Sequence, residues 1–303
     1  MKPNAALAAA AERSLAAEWL VLVRPRVGAM VFLVACLGAL LARPHAAETA
    51  SMLAAALCIT AVAAAASIFN QVLERETDAL MERTRARPLV TGRIQPRDAL
   101  LAGSALGALG TLGLALGFNL LSALLAVATL VTYVAVYTPM KRVSTLNTVV
   151  GALPGAAPPL LGYVALAGET GPWAWVLFGV LFAWQFPHFM AIAWLYREDY
   201  ARAGHQMLPA LPGARGVAGS QALLYGLALV PVSLLPLLAG MAHAPYAAGA
   251  LVCGLAYLAA SLAFALREER RTARALVLVS LAYLPLFFAS ILFDLASTGM
   301  WSA

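Results

Sequence analysis

Residues 49–88 read TASMLAAALCITAVAAAASIF (49–69) followed by NQVLERETDALMERTRARP (70–88). The first part has no charged residue in 21 positions. A helix of that length crosses the roughly 30 Å of hydrocarbon in a bilayer. The second part begins where the apolar run ends and carries charges of both signs. We therefore predict a transmembrane helix that ends in a dense polar segment.

The composition of the chain indicates a membrane protein. Its 303 residues are 62% hydrophobic and 11% charged, whereas soluble domains have roughly 45–50% apolar and about 25% charged residues. A separate membrane segment must satisfy its own backbone hydrogen bonds, so each long apolar stretch is predicted to be a helix. There are nine such stretches, at 22–42, 49–69, 99–116, 120–137, 146–166, 173–195, 217–239, 244–266 and 275–296. The predicted fold is all-α, with one nine-helix domain at 22–296, an N-terminal segment at 1–21 and a tail at 297–303.

The positive charges support this span count. With nine spans, 19 of the 20 Lys and Arg residues lie on the side of the N-terminus, and only Arg43 lies on the other. Lys and Arg accumulate in cytoplasmic loops of membrane proteins. We therefore predict a cytoplasmic N-terminus. Topology also explains the net charge of +6, so nucleic acid is not an expected partner.

The polar segment after the second span has a four-residue repeat. Asn70, Glu74 and Asp78 share one face if the helix continues past the membrane. Like charges at this spacing repel by roughly 0.2–0.5 kcal/mol per pair, and Mg²⁺ held by these oxygens offsets that cost. Arg83 and Arg87 follow, and guanidinium groups match phosphate oxygens. The pattern favours a magnesium-diphosphate site, with a solvated loop of mutually paired charges as the alternative.

Two other segments place polar residues at the same predicted face. Lys141 and Arg142 follow the fourth span, and Asn147 precedes GALPGAAPP (151–159) in the fifth. Glycines and prolines in a span are tolerated where backbone lines a cavity, or they permit close helix packing.

The sixth span carries the second polar signal within the membrane. Gln185 and His188 lie inside it, where polar groups usually face a cavity; a hydrogen-bonded structural histidine is the alternative. Tyr196 and Asp199 follow at its end.

Together these segments resemble the UbiA-type intramembrane prenyltransferases. That family has Asn-x₃-Asp-x₃-Asp at the end of the second helix and a second acidic motif after the sixth. The chain is similar to the branch that farnesylates protohaem IX, over residues 22 to about 293. This resemblance rests on Asp78-x₂-Met81-Glu82-Arg83-Thr84, Tyr137-Thr138-x₂-Lys141-Arg142, Asn147-x₃-Gly151-x₃-Gly155-Ala156-x-Pro158-Pro159-x₂-Gly162, and Trp184-Gln185-x-Pro187-His188-Phe189 with Asp199-Tyr200.

The resemblance implies nine helices around a central cavity capped by two charged loops, with farnesyl diphosphate and haem b as substrates and Mg²⁺ as cofactor. It implies catalytic roles for Asn70, Glu74, Asp78, Lys141, His188 and Asp199. Of these, Asn70, Glu74, Asp78 and Asp199 would hold metal. The residues that would bind substrate are Arg83, Arg87, Arg142, Asn147, Gln185, Tyr196, Arg24 and Arg26. Of these, Arg24 and Arg26 would contact the haem propionates.

The resemblance also implies a location and partners. The protein is expected in the bacterial inner membrane, with the active-site loops cytoplasmic. Expected partners are membrane lipid and other membrane proteins of haem biosynthesis or oxidase assembly.

Two residues depart from the family pattern. Glu74 stands where the family has aspartate, and Ala203 stands where its second motif has another acid. The residues leave three other functions open: a prenyltransferase with an aromatic or chlorin acceptor, a transporter or haem permease, and a structural membrane subunit.

Overall fold

The computed structural model describes residues 14–42 and 49–298, and every regular element in these ranges is helical. Within them, nine helices are long and apolar enough to cross a membrane. These are α1 (Pro25–Ala42), α2 (Thr49–Leu73), α3 (Pro96–Gly117), α4 (Leu120–Met140), α5 (Asn147–Ala167), α6 (Pro172–Leu195), α7 (Val217–Leu238), α8 (Ala244–Leu266) and α9 (Arg270–Ser297). The predicted all-α fold with nine spans is confirmed.

Several spans differ from the prediction by three to five residues at one end: α3 begins at Pro96, α4 ends at Met140, α9 begins at Arg270, and the first two spans also differ. The first was expected to begin at 22, but Arg24 adopts a left-handed conformation (φ 53°, ψ 65°) that separates a short helix, Leu15–Val23, from α1. Pro25 then begins α1, because its fixed φ and missing N–H suit a first helical turn. The second span continues beyond 69 to Leu73. Arg43, residues 1–13 of the predicted N-terminal segment and 299–303 of the predicted tail lie outside the described residues.

Helix α5 lies between two hydrophobic cores. One core joins it to α1 and α6–α9 through Ala156, and the other joins it to α1–α4 through Ala157. α5 is also the most buried of the nine helices. Its three prolines do not interrupt it, so residues 151–159 form continuous helix in the middle of the bundle.

Close helix packing accounts for the glycines around this segment. A Cβ atom added at Gly38 would lie 1.9 Å from the Pro159 carbonyl oxygen, and one at Gly162 would lie 2.0 Å from that of Ala35. A Cβ at Gly155 would lie 2.0 Å from the Gln185 side-chain oxygen. Membrane helices approach this closely where small residues meet. The geometry supports the packing interpretation of residues 151–159.

The Gly38→Ala variant is expected to lose stability, because the added methyl group meets backbone atoms that cannot rotate away. Overpacking of this kind costs about 1–3 kcal/mol. The measurement is the thermal unfolding midpoint in detergent. Gly117→Ala is the matched control, since a Cβ there has no atom within 4 Å. An equal midpoint for the two variants would contradict this account of the α1–α5 contact.

Two connections at one end of the bundle carry the predicted site. After α2 the chain leaves helical geometry at Glu74 and forms a short helix, Arg75–Leu80. After α6 it does the same at Tyr196 and forms Arg197–Arg202. We call residues 74–95 the first loop and residues 196–216 the second loop. Hydrogen bonds join the two loops, so the acidic groups that follow α2 and α6 meet at this end.

Candidate active site

Asn70 is held at the end of α2 by helix α4. Its side-chain Nδ2 donates to the Thr138 hydroxyl at 3.1 Å. Residues 132–137 of α4 form a π-helical section, so the Thr138 N–H reaches the Tyr133 carbonyl oxygen. Such sections are frequent at functional sites. Asn70 uses its nitrogen for this contact, and its side-chain oxygen has no hydrogen-bond partner among residues 14–42 and 49–298, so it can face a ligand.

Glu74 and Lys141 form a buried ion pair between α2 and the end of α4. The Lys141 ammonium lies 2.8 Å from the Glu74 carboxylate and 4.6 Å from the centre of the Tyr137 ring. The lysine is only 9% exposed. The pair joins the first loop to the α4–α5 connection.

Asp78 pairs with a base of its own loop. Its Oδ2 accepts from the Arg87 guanidinium. The Thr84 hydroxyl donates to the Asp78 carbonyl oxygen at 2.8 Å and holds the intervening turn. Asp78 is 1% exposed, and its Oδ1 is buried without a hydrogen-bond partner in the described chain. A buried polar atom of this kind calls for a ligand or water.

Asp199 joins the second loop to the first. One carboxylate oxygen accepts from the Arg83 backbone N–H at 3.4 Å, and the other pairs with Arg202. The Arg83 guanidinium donates to the Tyr200 hydroxyl at 3.0 Å and lies 4.8 Å from the centre of the Tyr196 ring. We call these contacts of Arg83 with the second loop the loop clasp.

Burial and ion pairing shift the pKa values of these groups. Burial alone would raise the pKa of the Glu74 carboxyl, but Lys141 outweighs it and the pKa lies below its ordinary value. Burial raises the pKa of the Asp78 carboxyl, and Arg87 opposes this only in part. Burial would lower the pKa of the Lys141 ammonium, but Tyr137 and Glu74 hold it above its ordinary value. Glu74 and Lys141 are therefore both charged at neutral pH.

The predicted polar residues of α5 and α6 have structural partners. The Asn147 side-chain nitrogen donates to the carbonyl oxygen of Gln206 in the second loop at 2.9 Å. Gln185 donates to the Ala152 carbonyl oxygen across the α5–α6 contact at 3.1 Å. His188 contacts the Ser280 hydroxyl on α9 through Nδ1 at 2.7 Å. It precedes Asp199 by about three helical turns, so the structure does not bring it into the ion-paired cluster.

Three predicted arginines lie apart from the cluster. Arg24 is partly exposed at the start of α1 and Arg26 is exposed; neither has an ion-pair partner in the ranges described. Arg142 is exposed and lines a surface cavity of about 310 Å³ with Arg75 and Glu76.

The oxygen atoms of Asn70, Glu74 and Asp78 are suitable ligands for Mg²⁺, although the two carboxylates form ion pairs with Lys141 and Arg87 in this structure. No three His, Cys, Asp or Glu side chains in residues 14–42 and 49–298 are grouped as metal ligands. The free oxygen of Asn70, the unpartnered Oδ1 of Asp78 and the Glu74 carboxylate are nevertheless the hard ligands that Mg²⁺ prefers, in the number it takes from protein. The residues therefore fit the ion.

The structure adds two residues to the predicted site. Arg202 pairs with Asp199, and His205 is buried next to Glu74 and Lys141. Arg202 lies three residues after Asp199, a spacing that allows a helical ion pair. For His205 no sequence signal exists, because the turn that buries it depends on contacts between the loops.

Comparison with known proteins assigns the family. Residues 31–292 match the model described as the UbiA prenyltransferase family. The chain belongs to the UbiA prenyltransferase family. This confirms the resemblance found in its motifs.

Relatives and solved structures of this UbiA family cover most of the chain. A protein of Solibacter usitatus named protoheme IX farnesyltransferase is 48% identical over 234 residues, or 77% of this chain and 80% of the relative. One of the same name from Marinobacter nauticus is 42% identical over 278 residues, or 91% and 92%. A UbiA homologue from Archaeoglobus fulgidus, solved bound to GPP and Mg²⁺, has a TM-score of 0.62 at 19% identity over 90% of this chain and 99% of that one. The chain thus has the UbiA fold.

Proposed function

We propose that this protein transfers the farnesyl group of farnesyl diphosphate to a vinyl group of haem b, with addition of water, to give haem O. The names of the two relatives support the acceptor. The homologue bound to GPP and Mg²⁺ supports the class of donor. The observation in this structure that carries the proposal is the group of three carboxylate–base pairs at the loop end.

The three pairs are balanced in charge. Glu74, Asp78 and Asp199 face Lys141, Arg87 and Arg202 respectively. A prenyl diphosphate that arrives with Mg²⁺ offers a cation to the carboxylates and phosphate oxygens to the bases. Each carboxylate can therefore exchange its base for Mg²⁺, and each base can exchange its carboxylate for a phosphate oxygen. Such an exchange keeps every charge paired, and an unpaired charge away from water is strongly unfavourable.

We assign Asn70, Glu74 and Asp78 to one Mg²⁺ and Asp199 to a second. Mg²⁺ bound there supplies positive charge that stabilises the departing diphosphate. Lys141, Arg87 and Arg83 donate to the diphosphate oxygens. They stabilise negative charge where it develops as the allylic C–O bond breaks.

The proposed reaction has three steps. The C1–O bond of the farnesyl chain breaks and its electron pair leaves with the diphosphate. A haem vinyl group forms the new C–C bond to the farnesyl cation. Water adds to the resulting haem cation and loses a proton, which gives the hydroxyethylfarnesyl side chain.

On the acceptor side, we assign His188 to orienting haem b or the attacking water, and Tyr196 to contact with substrate at the rim. Arg24 and Arg26 are proposed to meet the propionates, since neither has a carboxylate partner in the described chain. Arg142 is proposed as an outer contact of the diphosphate. Asn147 and Gln185 use their side-chain nitrogens on backbone carbonyls, so they act by holding the second loop and the α5–α6 contact in place.

The helices make this a multi-pass membrane protein. We propose that it lies in the bacterial inner membrane with both loops cytoplasmic, on the distribution of Lys and Arg. Haem b would reach it through the membrane or from other membrane proteins of haem biosynthesis or oxidase assembly.

The test is a product assay with the purified protein, haem b, farnesyl diphosphate and Mg²⁺. Chromatography of the extracted haems should show haem O, with one pyrophosphate released per haem O formed. Prenylation of an aromatic acceptor but not of haem b would indicate a different acceptor class. Absence of pyrophosphate release with every acceptor would overturn the enzyme assignment, because a carrier breaks no C–O bond.

As the pH falls, protonation of Asp78 should reduce the rate of haem O formation. This loss should occur at a higher pH than for an aspartate with an ordinary pKa. The ionised Asp78 carboxylate is the active form, and burial raises its pKa. The midpoint of the acid limb should therefore lie above the ordinary aspartate pKa of about 3.9. The pKa of Glu74 is shifted down, so Glu74 stays ionised in this range. The measurement is kcat/KM for farnesyl diphosphate against pH, and a constant value down to about pH 4 would contradict it.

A further inference from the structure

His205 is a buried histidine in the second loop that the assignments above leave without a role. Its side chain is 3% exposed, and its ring Nδ1 is buried with no hydrogen-bond partner in the part of the chain described. Buried polar side-chain atoms are paired in the large majority of cases. An unpaired ring nitrogen next to a binding site therefore points to a ligand atom.

The backbone around His205 is fixed to the site. The His205 N–H donates to the Tyr200 carbonyl oxygen at 3.0 Å, and Gly204 turns the chain with a φ of 69°. The next N–H, that of Gln206, donates to the Lys141 carbonyl oxygen at 2.6 Å. These contacts place the imidazole beside Lys141. The Lys141 backbone also lies next to the imidazole, although no ring nitrogen meets hydrogen-bond geometry with it.

The charges around the ring are those of the proposed diphosphate site. Glu74, Lys141 and Arg142 are the charged groups that act on it. Burial lowers the pKa of the His205 imidazole, and Lys141 and Arg142 add to this, while Glu74 and the nearby Lys141 backbone oppose it.

We propose that His205 is a binding residue for the diphosphate of the prenyl substrate, donating a hydrogen bond from its ring to a diphosphate oxygen beside Lys141. This inference rests on the proposed function, since it needs a diphosphate in the site. A hydrogen bond to a charged acceptor is worth about 1.5–3 kcal/mol, and its loss weakens binding by roughly 10- to 150-fold at 1.4 kcal/mol per factor of ten.

The test is calorimetric titration of the detergent-purified full chain with inorganic pyrophosphate in the presence of Mg²⁺. His205→Phe fills the space without a donor and should weaken pyrophosphate binding at least 10-fold. His205→Asn keeps a nitrogen donor near Nδ1 and should retain most of the affinity. His243→Phe is the control, because His243 is half-exposed beside Asp294 at a distant position. Should His205→Phe fail to fold by its unfolding midpoint, His205→Ala takes its place.

The outcomes separate the two proposals. Equal pyrophosphate affinity in His205→Phe and the unchanged protein would overturn the role of His205 and leave the diphosphate site standing. Equal weakening in the Phe and Asn variants would show that packing, not donation, matters, and would also overturn it. No pyrophosphate binding by the unchanged protein would overturn both. Tight pyrophosphate binding without haem O formation would remove only the acceptor assignment.

Discussion

Asp78→Asn is expected to reduce haem O formation by on the order of 100-fold or more, while the protein remains in the membrane fraction. The side chain is buried, and the change keeps its shape but removes its negative charge. Loss of one preorganised electrostatic group in an enzyme site costs about 100- to 1,000-fold in rate. The measurement is haem O per unit of purified protein, with size-exclusion chromatography to confirm the fold.

Glu82→Gln is the matched control for this variant. Glu82 lies one four-residue step further along the chain, and the change removes the same charge. Its side chain is 62% exposed and pairs with Arg85 at 3.2 Å. Activity close to that of the unchanged protein is expected. A comparable loss of haem O formation in both variants would show that the net charge of the first loop matters and that Asp78 has no specific role.

A double variant separates catalysis from folding. Asp78→Asn leaves the partly buried Arg87 without its partner, and breaking a pair whose carboxylate is buried is destabilising. Asp78→Asn with Arg87→Gln restores the charge balance and should recover part of the unfolding midpoint. It should stay inactive, because both a ligand for Mg²⁺ and a phosphate donor are gone. Recovery of haem O formation would mean that the Asp78–Arg87 pair is structural.

Lys141→Met is expected to raise the KM for farnesyl diphosphate by roughly 10- to 150-fold, the loss of one hydrogen bond between charged groups. Methionine keeps an unbranched side chain at this position. The KM for haem b should not change, because Lys141 contacts Glu74 and Tyr137 at the diphosphate end of the site. The measurement is initial rate against each substrate with the other saturating.

Two further variants sharpen the Lys141 result. Lys141→Arg keeps the charge in a wider head group and should lose less than methionine does. Arg97→Gln removes an exposed positive charge from the first turn of α3 and should leave both KM values unchanged. If Lys141→Met raised the two KM values equally, the lysine would be supporting the site as a whole and not the diphosphate.

Hydrophobicity and charge were enough to predict the nine helices and the two charged loops. The four-residue spacing of Asn70, Glu74 and Asp78 was also visible in the sequence, and the structure keeps all three at the end of α2 or just beyond it. The helix does not continue unbroken through them, because Glu74 leaves helical geometry. The ion pair with Lys141 holds that break, and a contact between segments so far apart is invisible to local patterns.

The remainder of the site depends on tertiary contacts. The π-helical section before Thr138 has no sequence signal, although it positions Thr138, the partner of Asn70. The burial of His205 requires both loops to be in place. The glycines and prolines at 151–159 are compatible with either cavity lining or close helix packing. The close approach of α1 to α5 in the structure favours packing.

The loop clasp makes the two loops one cooperative unit. The backbone N–H of Arg83 and the carboxylate of Asp199 are separated by 116 residues in sequence, yet opening either loop breaks contacts of both. Local openings in proteins occur in such units, with a free energy set by all the contacts that are lost together. We therefore expect the carboxylates that follow α2 and α6 to become exposed to solvent together when the loops open.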